Sequence, residues 1–322
     1  MIVAVAARKL QDAQEFAKKH SIPQAYGSYE ELARDPEIEV VYVGVIHPYH
    51  LPICTLFMKA QKNVLCEKPL AMNLREVGEM VATAKMNNVF LMEALWTRFF
   101  PASLEIGRLL SQGEVGEVKM VRADFGAALM SIPRAVQKEL GGGALLDIGI
   151  YALQFICMVF NGEKPECIQA TGVCLDTGVI SVPLRIPDVL FQLLSPQWLA
   201  CVDECMVVTL KFSRNRMAVF TCSVAVDFPN DAVIVGTNGT IRVPEHMWCP
   251  TSLVVNGKET QYPVPEPYLP LNFINSTGMC YEAEEVRQCL LKGTSLHSLM
   301  LGFWDQNTVT TMQNLATMTV VL

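Results

Sequence analysis

The sequence predicts an α/β domain built on a parallel sheet, followed by an α+β domain with an open, mainly antiparallel sheet. Three observations carry this. All-apolar runs alternate with helical stretches from residue 1 to about 95, as parallel strands covered on both faces require. Beyond that point come successive extended segments separated by turn signals such as Thr237-Asn238-Gly239, which indicate antiparallel pairing. Finally, 322 residues with 51% hydrophobic content are enough for two cores.

Met1-Ile2-Val3-Ala4-Val5-Ala6-Ala7 reads as a buried strand that begins at the first residue. Arg8 and Lys9 end it. A dinucleotide-binding fold sets a carboxylate there for the ribose hydroxyls, whereas two cations favour a 2′-phosphate, and so NADP over NAD. A basic strand end exposed to solvent is the other reading. Asp12 to His20 is helical in composition, and Ser28 with Glu31 has the spacing of a capping box. Val40 to Val45 is the next strand, and its end carries His47-Pro48-Tyr49-His50. A lone histidine is more often structural. Two beside another charged strand end point toward a site. Leu51 to Ala60 makes the crossover helix.

Val64-Leu65-Cys66-Glu67-Lys68-Pro69-Leu70 reads as a short buried strand that stops at a charged pair and a proline. Open α/β sheets bind ligands in the crevice outside such strand ends. Partial burial can lower a lysine pKa until the group exchanges protons near neutrality, so Lys68 is a candidate for proton transfer. A solvated lysine before a strand-ending proline is the bland alternative. Asn73 caps the next helix with Glu76 at the third position, and Val77, Met80, Val81 and Ala84 share its buried face. Val89 to Met92 returns to the sheet.

After a helix over Pro101 to Gln112, extended segments are expected at Val118–Phe125, Cys167–Val173, Met206–Phe212, Ala218–Val226, Ala232–Val235 and Thr240–Val243. One helix interrupts them, from Ala144 to about Phe160. Asp147 and Tyr151 lie four apart on it, so they share a face and can present a carboxylate and a phenol to one ligand. The preceding Gly141-Gly142-Gly143 could hold an anion at the helix start. It follows no parallel strand, so a flexible hinge is the favoured reading.

Composition narrows the partners. A net charge of −7 offers no basic field for nucleic acid. The eleven cysteines include no C-x-x-C, and Cys201 with Cys205 lacks a nearby histidine, so no metal is expected. An odd cysteine count without a signal peptide suggests a reducing, cytoplasmic setting. The apolar stretch from Val179 to Leu210 is broken by Pro183, Pro187, Pro196, Asp188, Asp203 and Glu204, and will not span a membrane.

Three tracts carry a resemblance: Glu67-Lys68-Pro69, Met92-Glu93-Ala94-Leu95-Trp96-Thr97-Arg98-Phe99-Phe100-Pro101, and Gly142-Gly143-Ala144-Leu145-Leu146-Asp147-Ile148-Gly149-Ile150-Tyr151. Together they resemble the Gfo/Idh/MocA oxidoreductases over roughly residues 3 to 178 and 204 to 293. The resemblance implies a Rossmann-like NADP-binding domain at 1–95 and a substrate-binding and dimerisation domain at 96–293. It also implies a homodimer formed through the second domain's sheet.

By the same resemblance, Lys68 and Tyr151 are the proton-transfer pair, with His50 and Asp147 in the catalytic set. Arg8, His47, Pro48, Glu67, Lys68, Trp96 and Arg98 hold the cofactor. Trp96, Phe125 and Tyr151 line the substrate, as aromatic walls suited to a cyclic diol or the apolar face of a sugar. The implied reaction is NADP-dependent oxidation of trans-dihydrodiols of aromatic hydrocarbons to catechols, or of D-xylose to xylonolactone. Three features depart from the family pattern. Met1 falls inside what resembles the family's second strand, so the first strand and its glycine-rich turn are missing. Residues 179–203 resemble an insertion, and 294–322 a divergent tail. A catalytically inactive homologue that keeps only the dimerisation sheet is the alternative reading.

Overall fold

The computed structural model describes residues 2–175, 178–180 and 202–293. Most of the expected insertion, and all of the tail at 294–322, lie outside the described residues. Strands and helices alternate at first: β1 (Ala4–Ala6), α1 (Leu10–His20), β2 (Gln24–Tyr26), α2 (Tyr29–Arg34), β3 (Val40–Val43), α3 (His50–Lys59), β4 (Asn63–Glu67), α4 (Leu74–Asn87) and β5 (Leu91–Ala94). Every pairing among these strands is parallel.

The expected caps form. Ser28 Oγ accepts the Glu31 N–H at 3.2 Å, and Asn73 Oδ1 accepts the Glu76 N–H at 3.1 Å. Both glutamates reach back one residue beyond the cap, to the amides of Gly27 and Met72. Met80 and Ala84 are fully buried on the predicted face of α4.

These strands do not make one sheet. β1 and β2 pair as a two-stranded unit, and β3, β4 and β5 as a three-stranded one. A doubly wound order would seat one strand between β1 and β3. Among the described residues nothing pairs there, and Tyr42 on β3 is 50% exposed.

After α5 (Pro101–Ser111) the chain builds a nine-stranded sheet in the order β14-β13-β12-β11-β6-β10-β9-β7-β8. Its strands are β6 (Val118–Gly126), β7 (Cys167–Cys174), β8 (Gly178–Ile180), β9 (Asp203–Phe212), β10 (Arg216–Ser223), β11 (Ala232–Gly236), β12 (Thr240–Val243), β13 (Ser252–Val255) and β14 (Lys258–Gln261). All neighbours are antiparallel except β6 and β10. The hairpin of β13 and β14 was not among the expected strands, yet it turns on Asn256-Gly257, both at positive φ, the strongest short hairpin signal.

Side chains alternate as the pleat demands. Met206, Val208, Leu210 and Phe212 point into the core, as do Ala218, Phe220 and Cys222, whereas Val207, Met217 and Val235 stay exposed on the other face. Between β6 and β7 lie α6 (Pro133–Val136), a π-helical turn at Leu145–Gly149 and α7 (Ile150–Val159). The stretch Lys138–Val159 is apolar and long enough by composition to cross a membrane, but that apolarity is spent in the core. α8 (Met279–Leu291) then returns to the parallel strands, packing Val286 and Cys289 with Leu65, Phe90 and Met92.

Candidate active site

The end of β4 delivers Glu67 and Lys68 to a point where the start of the α7 helix arrives from the other side. Lys68 Nζ donates to the Asp147 carbonyl at 2.5 Å and to its Oδ1 at 3.1 Å. Arg134, on α6, donates to the other carboxylate oxygen at 2.8 Å. Asp147 is therefore a buried carboxylate with a cation on each oxygen. Burial opposes its ionisation, but Lys68, then Arg134 and His47, outweigh it and hold the carboxyl below the ordinary aspartate range.

The same contacts correct the expectation for Lys68. Burial does push its pKa down, but Tyr151, Asp147 and Glu67 together outweigh that, and the pKa lies above that of a free lysine. Lys68 is thus a fixed ammonium at neutral pH rather than a base poised near it. Its Nζ sits 5.0 Å from the centre of the Tyr151 ring. Burial raises the Tyr151 pKa, and Lys68 is the chief influence pulling it back down.

Aromatic groups close the other side. Trp96, on the short turn after β5, donates its indole N–H to Tyr151 Oη at 3.2 Å. Phe125, on β6, lies 5.6 Å from the Tyr151 ring and stacks on Trp248 at 3.9 Å with the planes 4° apart. Sequence reasoning did not single out Trp248. Its carbonyl accepts the Thr97 hydroxyl, which ties it to the turn that carries Trp96. Tyr151, Trp96, Phe125 and Trp248 form one aromatic wall.

The histidines take different places. His47 Nδ1 lies 3.1 Å from the Gly141 carbonyl, so that nitrogen carries the proton and Nε2 is left as an acceptor. Burial, and then Lys68, drop the His47 pKa to about 4, so the ring stays neutral. Pro48 follows on the same short turn, packed toward Gly141. His50 is fully buried at the start of α3, with its two nitrogens 2.8 and 2.9 Å from the carbonyls of Pro69 and Val45. It ties the two strand-end loops together, away from any open surface.

Glu67 faces the other way. Its Oε2 accepts the Lys68 N–H at 3.1 Å and its Oε1 the Tyr42 hydroxyl. Arg98 lies 5.0 Å over the Phe99 ring, with Glu93 as its nearest electrostatic partner and then Glu282 and Glu285 of α8. Glu282 was not anticipated. It is 2% exposed, and its Oε2 has no hydrogen-bond partner among the described residues.

The structure therefore gathers Lys68, Asp147, Tyr151, Trp96, Phe125, His47 and Glu67 around the end of β4. It sets Arg8 apart, exposed just past the end of β1. Arg134, Trp248 and Glu282 come from segments with no distinguishing local pattern. Among the described residues, no three or more His, Cys, Asp or Glu side chains are grouped to hold a metal ion.

A dinucleotide fits these residues at its two ends. Arg8 and Lys9 are exposed cations just past the end of β1, of the charge that would suit a ribose phosphate. The ammonium of Lys68 and the indole of Trp96 stand at the ends of β4 and β5, where open α/β sheets bind ligands. Among the described residues, no glycine-rich turn joins a parallel strand to a helix to cradle the phosphates between them.

Residues 1–95 match the oxidoreductase family with an NAD-binding Rossmann fold, and residues 103–242 match the GFO/IDH/MocA C-terminal domain. A trans-1,2-dihydrobenzene-1,2-diol dehydrogenase of Danio rerio is 69% identical over 93% of this chain and 83% of its own length. The enzyme of that name from Homo sapiens is 47% identical over 91% of this chain and 80% of its own length.

Solved structures share the fold. An aldose-aldose oxidoreductase from Caulobacter crescentus superposes with a TM-score of 0.73 at 20% identity, over 92% of this chain and 83% of that one. A levoglucosan dehydrogenase gives a TM-score of 0.74 at 18% identity, over 98% of this chain and 89% of that one. With both family domains matched in order and such identity over most of its length, the chain belongs to the Gfo/Idh/MocA family of NAD(P)-binding oxidoreductases.

Proposed function

We propose that this oxidoreductase uses NADP to oxidise a vicinal diol, either a trans-dihydrodiol of an aromatic hydrocarbon or a sugar such as D-xylose. The observation that carries the reading is the meeting of Lys68, Asp147 and Tyr151 beneath the aromatic wall of Trp96, Phe125 and Trp248. The names of the relatives from Danio rerio and Homo sapiens support the diol, and the flat Phe125–Trp248 stack suits a six-membered ring. NADP, when bound, supplies the hydride acceptor.

The chain's own residues manage the proton. Tyr151, as the phenolate, takes the hydroxyl proton of the substrate: its oxygen stands at the wall, and although burial raises its pKa, Lys68 is the chief influence favouring the ionised form. Lys68 stays charged, held by Asp147, which is in turn neutralised by Arg134. His47 offers a neutral Nε2 as a hydrogen-bond acceptor for the second hydroxyl. His50 and Pro48 fix the turn that presents it. Arg8 selects the 2′-phosphate, and the exposed Val207, Met217 and Val235 face of the large sheet is the surface where a second copy docks. Residues 1–95 act as the cofactor half and 96–293 as the substrate and dimerisation half, in the cytoplasm.

The test is steady-state turnover of a trans-dihydrodiol and of D-xylose with NADP and with NAD. Turnover of a trans-dihydrodiol faster with NADP supports the reading. Equal rates with both cofactors, or oxidation of neither substrate, would sink it.

A further inference from the structure

The start of the π-helical turn that leads into α7 holds an anion, and that anion belongs to this chain. Asp203, the first residue of β9, is 7% exposed, and its Oδ2 accepts the Leu145 N–H at 2.6 Å across 58 residues of sequence. The amides of Ala144 and of Asp203 itself also bond to the carboxylate. Gly143, at φ +136°, makes room for it: a Cβ there would lie 2.4 Å from Asp203 Oδ1. The glycine run that read as a hinge or an anion cradle is thus closed around an internal carboxylate.

This cap is coupled to the site. The Asp147 N–H donates to the Gly143 carbonyl at 3.1 Å, so the cap, the glycine and Asp147 form one bonded unit. Asp147 then lies within the π-helical turn, where its carbonyl accepts Lys68, and Tyr151 is one turn further along. A serine or a surface aspartate would cap a helix without desolvation. Here burial drives the carboxyl pKa up to about 6, against the pull of the three amides, so the cap carries a cost that a merely local role does not require.

We infer that Asp203 is a positioning residue for the oxidoreductase site: its carboxylate clamps the helix start so that Asp147 and Tyr151 stay seated on Lys68. An anion on converging amides makes charge-assisted hydrogen bonds aligned with the helix dipole, and it leaves the first turn no freedom to swing. The inference rests on the proposed roles of Lys68, Asp147 and Tyr151.

The test reads Lys68 directly, through competitive acetylation with acetic anhydride followed by mass spectrometry, alongside kcat and NADPH affinity. In folded Asp203→Ala, Lys68 should label at least about fivefold faster, and kcat should fall about tenfold or more with NADPH affinity within about twofold. Asp203→Asn keeps an oxygen for the Leu145 amide and should return both readouts to within about threefold of the parent. Asp203→Glu keeps the charge but lengthens the arm into Gly143, and should expose Lys68 about threefold.

Unchanged Lys68 labelling in folded Asp203→Ala overturns the proposal. Where Asp203→Ala does not fold, unchanged labelling in folded Asp203→Glu does so. Because labelling needs no turnover, a parent chain that oxidises no diol counts against the proposed substrate and leaves this test intact.

Discussion

The nine-stranded sheet and the parallel strands are closed to different degrees. In the large sheet every strand from β13 across to β7 has a partner on both edges, and β13 and β14 are joined by a two-residue turn that fixes their register. The parallel strands stand as a pair and a triplet, and the facing edges of β1 and β3 lack a partner among the described residues. The site draws on both regions unequally. Lys68 hangs from β4, in the middle of the intact triplet, and is held by two bonds to Asp147, whose other carboxylate oxygen accepts from Arg134. Arg8 hangs from β1, across the gap. The Lys68–Asp147–Arg134 group is thus held from both regions, while Arg8 lies across a gap between strand edges among the described residues.

The largest expected effect tests whether the held group acts on chemistry alone. Lys68→Met and Tyr151→Phe should each lower kcat by roughly 10² to 10⁴, the usual cost of losing one partner in proton transfer. NADPH affinity, titrated by fluorescence, should change only about threefold. Affinity falling in step with kcat would show that the two halves are not separable.

A second experiment acts on the gap itself. Placing an apolar strand and a glycine-rich turn ahead of Ala4 should supply the partner that the facing edges of β1 and β3 lack among the described residues, along with amides for the pyrophosphate. Several charge-assisted hydrogen bonds at roughly 1.5 to 3 kcal/mol each would raise NADPH affinity by about 10³ or more. Micromolar NADPH binding by the chain without that addition would mean that some other segment binds the phosphates.

How much of this was legible in the sequence follows the range of the physics. The strands around Val41 and Val64, the caps at Ser28 and Asn73 and the face of α4 are local signals, and they formed where expected. The Met1–Ala7 run is the exception: only Ala4–Ala6 is strand, it is half-buried, and Ile2 and Val3 are exposed, because among the described residues β1 pairs on one edge alone. Lys68, Asp147, Tyr151 and Trp96 were legible through motifs. The direction of the Lys68 pKa was not, because burial alone argues for lowering it, and only the convergence of Tyr151, Asp147 and Glu67 reverses the sign. Arg134, Asp203 and Trp248 reach the site from 13, 58 and 151 residues away from their bonded partners Asp147, Leu145 and Thr97. No local pattern announces a contact of that range. The β13–β14 hairpin is the opposite case, since Asn256-Gly257 announced it.

A smaller effect probes the far bank of the gap. Arg8 is exposed at the end of β1, and Arg8→Asp should cut the preference for NADP over NAD by about tenfold, the loss of one charge-assisted contact. The ratio of the two dissociation constants is the measurement. An unchanged ratio would place the 2′-phosphate elsewhere.

The smallest effect concerns α8, which follows the large sheet in sequence yet packs on the parallel triplet. It buries Glu282 close enough to Glu67 and Arg98 for both to influence its charge, leaving Oε2 without a partner among the described residues. Burial first, and then Glu67, raise the Glu282 pKa to about 8, with Arg98 opposing. In the unfolded chain the group titrates near ~4.3. The folded state therefore binds the extra proton between these values, and the contribution to stability is complete below the unfolded value and lost as pH rises through about 8. Glu282→Gln carries no such proton. Its melting temperature should match the parent near pH ~5 and exceed it by a few degrees near pH ~9, where the parent must ionise a buried carboxyl. Melting curves of parent and variant that stay parallel across this range would mean that Glu282 is hydrated and that α8 seals the triplet less tightly than its packing indicates.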